Sequence, residues 1–216
     1  LDKLGIQVGY PDKIPALYDQ FKVDEEESLI ANLNQLTVTA NKELFSRWNK
    51  PVDRMRWEMS AATVNAYYHP FKNIIVFPAA ILQAPFYSLK QSSSQNYGGI
   101  GAVIAHEISH AFDNNGSLFD EFGNLNNWWT DEDSAHFKQL AQKMIEEFDG
   151  IPFAGQKVNG KLTVSENIAD AGGLSCALEA AKNEADFNAQ EFFINWATIW
   201  RMKATEQYMQ LLLSID

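Results

Sequence analysis

The sequence has one cysteine, Cys176, in 216 residues. A single thiol cannot close an intramolecular disulfide, and it excludes a metal site built from several thiolates. Set between Ser175 and Ala177, it is expected to be a buried small hydrophobe. A chain without disulfides tolerates a reducing compartment. Positive charge is also in deficit. Lys and Arg number 17 against 28 Asp and Glu, for a formal net charge of −11. Polyanions would be repelled, so no nucleic-acid partner is expected. No run of about 18 apolar residues exists, so no segment is expected to span a membrane. The start shows no signal peptide, and Leu1 in place of an initiator Met predicts an upstream region. Repeats and low-complexity tracts are absent. What is abundant is apolar residues, 46% of the chain, with 14 Phe and 6 Trp. Such a chain can bury a sizeable core as one domain, or as one large lobe of a bigger protein.

Leu1 to Val23 reads as irregular chain or short strand. Asp24 is the expected N-cap of a first helix, with Glu25, Glu26 and Glu27 in its opening turn. The spacing of Leu29, Leu33, Leu36, Ala40, Leu44 and Trp48 predicts one core-facing stripe ending before Pro51. Residues 63–68 and 73–77 predict two strands joined by a turn at His69-Pro70-Phe71-Lys72. Pro78 and Pro85 bracket an apolar loop, and the Ser-rich stretch 91–98 predicts a flexible one. A second helix is expected over about 99–113, stopped by Asn114-Asn115-Gly116. Residues 117–129 read as loop with short strand. Thr130 should cap a third helix ending before Gly150, and Lys157 to Leu162 should form a turn. Thr163 or Ser165 is expected to cap a fourth helix to about Asn183, and a fifth is expected over about 188–213.

His106-Glu107-Ile108-Ser109-His110 spells H-E-x-x-H on the second helix. Residues four apart share a helix face, about 5–6 Å between Cβ atoms. Two imidazoles so placed can grip one zinc ion, and Glu107, one step round, can reach water held by it. The motif fixes only three positions, so a chance match on an ordinary helical scaffold is the rival reading. The apolar setting argues against chance, because two buried histidines and a glutamate need a partner. The chain has four histidines, and the other two, His69 and His136, fall in a predicted turn and a polar helix. The third ligand should therefore be a carboxylate from another element. Glu166 fits, with Asp170 four residues on and on the same side. Two His and a Glu with one open position is a catalytic zinc arrangement. Asp170 can accept the remaining ring N–H of a ligand histidine, and Asp113, on the face of both histidines, is a second such acceptor. Read without the histidines, Glu166 and Asp170 would be acids suiting a helix start.

Four stretches carry a resemblance: Val64-Asn65-Ala66-Tyr67-Tyr68, Phe77-Pro78-Ala79-Ala80-Ile81-Leu82-Gln83, His106 to Asp113, and Glu166-Asn167-Ile168-Ala169-Asp170-Ala171-Gly172-Gly173. Together they resemble the signature set of the neprilysin-like zinc metallopeptidases, closest to the bacterial oligopeptidase O type. The resemblance covers essentially the whole chain, to Asp216. It implies an α+β fold: a thermolysin-like zincin catalytic lobe, mostly helical, with a small sheet. It also implies an edge strand on which Asn65 and Ala66 pair with the substrate backbone, holding any sequence extended. Ile81, Phe86, Val103 and Trp200 would form an apolar pocket for the residue after the scissile bond, though all four also suit a plain core.

The implied activity is zinc-dependent endopeptidase cleavage of short peptides on the amino side of hydrophobic residues, with one Zn²⁺ per chain and water activated by Glu107. Family members are much longer. An upstream helical region covers their active site, and beyond the point matching Asp216 they carry a histidine and an arginine that stabilise the oxyanion and orient the substrate. The resemblance thus implies that residues 1–216 are an incomplete catalytic domain, weak or inactive alone. Such a piece would be prone to self-association where the missing upstream domain should cover it. The alternative is a zinc-binding but inactive domain with an interaction role. The lone cysteine suits a soluble, cytoplasmic bacterial member better than the disulfide-rich, membrane-anchored animal ones.

Overall fold

Ile74-Ile75-Val76-Phe77-Pro78 is an unbroken apolar run, and all five residues are buried. A strand so patterned needs cover on both faces and a partner on each side. In the computed structural model, which describes residues 1–13 and 16–215, that run is the central strand β3 (Ile74–Pro78). It is flanked by β1 (Gly5–Gly9), in parallel, and β2 (Tyr67–His69), antiparallel. Residues 14 and 15 of the opening segment, and Asp216, lie outside the described residues. Two compact units make up the chain: Leu1–Tyr10 with Glu58–Asp216, and Pro11–Trp57.

In the larger unit the expected hairpin forms, with Tyr67 opposite Val76 and His69 opposite Ile74. Asn73 closes the turn at φ 46°, a left-handed conformation Asn tolerates better than most residues. β2 is an edge strand of the sheet order β1-β3-β2. It begins at Tyr67, however, so the expected strand over 63–66 is absent. The Asn65 side chain accepts from the Ala66 N–H at 2.9 Å, and such a local bond competes with ladder pairing. Against the sheet lies a cluster of Ala66, Ile75, Phe77, Ile81, Ile100 and Val103.

The Ser-rich stretch is helix instead of flexible loop. Ser92 caps α2 (Ser93–Asn96) in a reciprocal pair with Gln95. Ser92 also donates to Glu191, Ser93 to Asp186, and buried Ser94 accepts from the Asn188 N–H. Composition suggested mobility, but three hydroxyls have fixed partners. A π-helical turn at Tyr97–Gly101 then leads into α3 (Ala102–Ser109), which carries the H-E-x-x-H motif.

Thr130 caps α4 (Asp131–Phe148) as expected, accepting from the Asp133 N–H. A small hairpin, β4 (Pro152–Phe153) with β5 (Gln156–Lys157), follows, so Lys157 belongs to a strand and the turn comes after it. Next is α5 (Val164–Ala181), on which Cys176 is exposed, contrary to its apolar sequence setting. It falls beside Ala177, one position off the helix's buried Gly173-Ala177-Ala181 row. The expected last helix is two: α6 (Ala189–Ile199), capped by Asn188, and α7 (Glu206–Leu212), capped by Thr205. Thr205 is extended, and its hydroxyl accepts from the Tyr208 N–H, which starts a new helix where the apolar spacing alone ran on.

In the smaller unit, α1 (Leu29–Ser46) is capped by Ser28, not Asp24. The Asn32 side chain binds both the N–H and the C=O of Asp24, at 2.8 Å each, and keeps residues 24–27 in a turn ahead of the helix. The apolar stripe does not pack as core: Leu29 is 72% and Trp48 75% exposed. Its periodicity is helical, but its own unit supplies no cover for it. Among the described residues no helix is long and apolar enough to cross a membrane.

Candidate metal centre

α3 and α5 pack so closely that a Cβ at Gly173 would sit 2.6 Å from the His106 backbone nitrogen. Only glycine permits that approach, and it sets Glu166 opposite the two histidines. His106 Nε2 and His110 Nε2 are 3.0 Å apart. Glu166 Oε2 lies 3.3 Å from the first and 3.5 Å from the second. Each outer nitrogen is engaged: His106 Nδ1 donates to Asp170 Oδ1 at 2.8 Å, and His110 Nδ1 to Asp113 Oδ2 at 2.7 Å. A carboxylate only accepts, so these bonds put the protons on Nδ1 and leave the Nε2 lone pairs facing inward. Two nitrogen acceptors and a carboxylate oxygen then converge with no donor among them. Donors sharing one tetrahedral zinc at about 2.0–2.1 Å are about 3.3 Å apart. The three edges here match that figure, so the residues fit a zinc ion. Among the described residues this is the one group of three His, Cys, Asp or Glu donors so arranged. His69 and His136 do not join it.

The Asp113 carboxylate is the most enclosed part of the centre. Its Oδ1 accepts from the Asn115 and Gly116 N–H groups, both at 2.7 Å. Its Oδ2 accepts from Ser165 Oγ at 2.5 Å as well as from His110. Gly116 makes this turn possible, because a Cβ there would meet the His110 carbonyl at 1.8 Å. Burial disfavours the Asp113 charge, but these donors outweigh it and hold its carboxyl below the usual range.

The inward-facing Nε2 lone pairs that suit a metal also attract protons, which compete with it. Burial opposes charge on His106, yet Asp170 and Glu166 push its imidazole up to about 9. Asp113 and Glu166 likewise outweigh burial and push His110 up to about 10. Glu166, facing both rings, is held down at about 2. Glu107 is buried, which pushes its carboxyl up against the pull of the two imidazoles; a hydrogen bond from the Tyr68 main chain faces it.

A cavity of about 780 Å³ opens on these residues. Its lining takes in His106, Glu107, His110, Glu166, Asp113 and Asp170. It also takes in Asn65, Ala66, Ile81, Phe86, Val103 and Trp200, so the candidate ligand, catalytic and substrate-binding residues border one space. Ile81 and Val103 belong to the core cluster too, while Trp200 is half exposed at the end of α6. Sequence reasoning missed Asn115 at the wall and treated Ser165 only as a possible cap. Thr163 is the N-cap position and makes no side-chain cap bond; the Ser165 hydroxyl turns to Asp113 instead. The one signal was the position of Ser165 beside Glu166.

Comparison with known proteins identifies a peptidase family. Residues 65–216 match the model described as Peptidase family M13. A neutral endopeptidase of Lactococcus lactis subsp. cremoris is 54% identical over 216 residues, covering 100% of this chain and 34% of that protein. A Streptococcus gordonii protein named putative zinc metalloproteinase is 61% identical over 185 residues, 86% of this chain and 33% of its own. Among solved structures, PepO from Lactobacillus rhamnosis HN001 superposes with a TM-score of 0.94 at 44% identity, over 100% of this chain and 34% of that one. The chain thus spans about a third of the length of the relatives it matches.

Proposed function

The chain belongs to peptidase family M13, and on that premise we propose that it forms the zinc-holding catalytic part of a metalloendopeptidase. One observation carries the reading: two imidazole nitrogens and a carboxylate oxygen converge within 3.0–3.5 Å beside the buried carboxylate of Glu107. His106, His110 and Glu166 would hold one zinc ion. When bound, it supplies Lewis acidity, polarising the scissile carbonyl and acidifying the attacking water.

The chain's own groups do the rest. Asp170 and Asp113 keep the Nδ1 protons in place and so fix the tautomer in which Nε2 binds metal. Glu107 takes a proton from the attacking water as its oxygen bonds to the scissile carbon. The C–N bond then breaks, and Glu107 returns the proton to the leaving amine. Its burial, 6% exposed, keeps the carboxylate beside the reacting water and away from bulk solvent. Asn65 and Ala66, just ahead of the edge strand β2, would pair with an extended peptide main chain. Ile81, Phe86, Val103 and Trp200 line the same cavity and would receive the side chain after the scissile bond. That arrangement favours cleavage on the amino side of hydrophobic residues, while the restriction to short peptides would come from an upstream region covering the site.

The test is Glu107→Gln in the protein at its full natural length. The neutral amide cannot accept the water's proton, so turnover should fall by at least the about 10²–10⁴-fold typical of general acid–base catalysis. Metal analysis should still find one zinc per chain. Full peptidase activity in the variant would remove Glu107 from the mechanism.

A further inference from the structure

The ligands His110 and Glu166 come from elements 56 residues apart, yet their acceptor atoms lie 3.5 Å from one another. Two contacts between α5 and the region of the histidines bear on their register. On the far side of the site the contact is steric: Gly173 lies against the His106 backbone. On the near side it is a chain of hydrogen bonds. Asn115 Nδ2 donates to Ser165 Oγ at 3.2 Å, and Ser165 Oγ donates to Asp113 Oδ2 at 2.5 Å. That same oxygen accepts from His110 Nδ1 at 2.7 Å. Glu166, the residue after Ser165, sits between the two anchor points on α5.

We propose that Ser165 is a positioning residue for the metal centre, its hydroxyl locking the start of α5, and with it Glu166, to the carboxylate that orients His110. This rests on the ligand set proposed above. The direction of the hydroxyl is not free. Because Ser165 Oγ accepts from Asn115, its own proton is steered to Asp113. Asp113 is almost fully buried, so no surface water competes for that lone pair. Ser165 therefore touches no ligand atom, yet it fixes the spacing of two of the three. Ser165 does not act as a helix cap: Thr163 holds the N-cap position of α5, and the Ser165 hydroxyl is engaged by Asn115 and Asp113.

The experiment is zinc affinity by competition with a chromophoric chelator, in the protein at its full natural length. Ser165→Ala should weaken zinc binding by about 10–100-fold, the usual loss for a partner behind the ligands. Ser165→Thr, which keeps a hydroxyl, should restore most of it. Because the effect passes through Asp113, Ser165→Ala should cost nothing further in an Asp113→Ala background, whereas independent structural losses would add. Unchanged affinity in Ser165→Ala, or full additivity with Asp113→Ala, overturns the proposal. Should Ser165→Ala fail to fold, Asn115→Ala carries the test: it frees the hydroxyl to rotate and should also weaken zinc, and unchanged affinity there overturns the proposal equally. Glu166→Ala separates the two readings. If it leaves zinc binding intact, the ligand set itself is wrong; if it abolishes binding while the Ser165 variants bind normally, only the positioning role fails.

Discussion

At the His110 end of the site the orienting carboxylate is enclosed, with 2% of the Asp113 side chain exposed; at the His106 end Asp170 is 51% exposed. The distances to the rings hardly differ, 2.7 and 2.8 Å. What differs is everything behind the carboxylate. Asp113 also receives two backbone N–H groups and a serine hydroxyl. Asp170 has the histidine on one side and solvent on the other. The His106 end is held instead by the backbone of α3 pressed against Gly173. One ligand is therefore fixed by a buried polar network folded from the turn just after it, and the other by packing between helices distant in sequence. The same bond length should carry unequal weight at the two ends.

Asp113→Ala attacks the network and should have the largest effect. It strands the His110 Nδ1–H, the Asn115 and Gly116 N–H groups and the Ser165 hydroxyl, and a single stranded buried donor costs about 1–3 kcal/mol. Unfolding in urea should show a loss of at least that size, and zinc affinity should drop towards about 100-fold. Normal stability in this variant would mean that water replaces the carboxylate freely and that the two ends are alike after all.

Gly173→Ala attacks the packing. Alanine is the better helix former by about 1 kcal/mol. Here, though, its Cβ would meet the His106 nitrogen at 2.6 Å and Cα at 2.8 Å, both backbone atoms that cannot swing away. Overpacking of this kind typically costs about 1–3 kcal/mol, so a net loss in urea unfolding is expected. Gly172→Ala is the control: its Cβ would meet the Ser109 hydroxyl at 2.9 Å, a side-chain atom able to move. It should be milder, and equal losses at both positions would show that helix α5 is not pressed on His106 in particular.

The sequence carried one end of this comparison better than the other. His106, His110 and Asp113 could be grouped because helical spacing puts i, i+3 and i+4 side by side, as it does Glu166 and Asp170; Glu166 was joined to the histidines only by eliminating His69 and His136. The convergence of α3 with α5 was not legible, since no local pattern says which distant helix will approach; only the Gly172-Gly173 pair hinted at a close one. Ser165 was read as a cap because Ser at a helix start usually is one, and a buried carboxylate 52 residues away changed its partner. The same limit explains α1, where periodicity announced a core face and the helix's own unit leaves it uncovered. It also explains residues 92–94, where serines read as loop chemistry are bound to partners about a hundred residues on.

Asp170→Ala should have the smallest effect of the series, and it is the sharpest test of the asymmetry. Its bond to His106 matches the one at the other end in length, so a view based on contacts alone expects equal losses from the two aspartates. Exposure argues otherwise. Water can reach the freed Nδ1–H and replace the lost acceptor, so no donor is stranded in a dry interior. Gly173 still presses on the His106 backbone and limits how far the ring's attachment can wander. Zinc affinity should therefore fall by about 10-fold, the lower end for a partner behind a ligand histidine. Stability of the metal-free protein should change by no more than the about 0–1 kcal/mol of an exposed ion pair. Chelator competition and urea unfolding of Asp170→Ala and Asp113→Ala, run side by side, decide it. Matching losses in both measurements would show that the histidine–carboxylate bond itself matters and its burial does not.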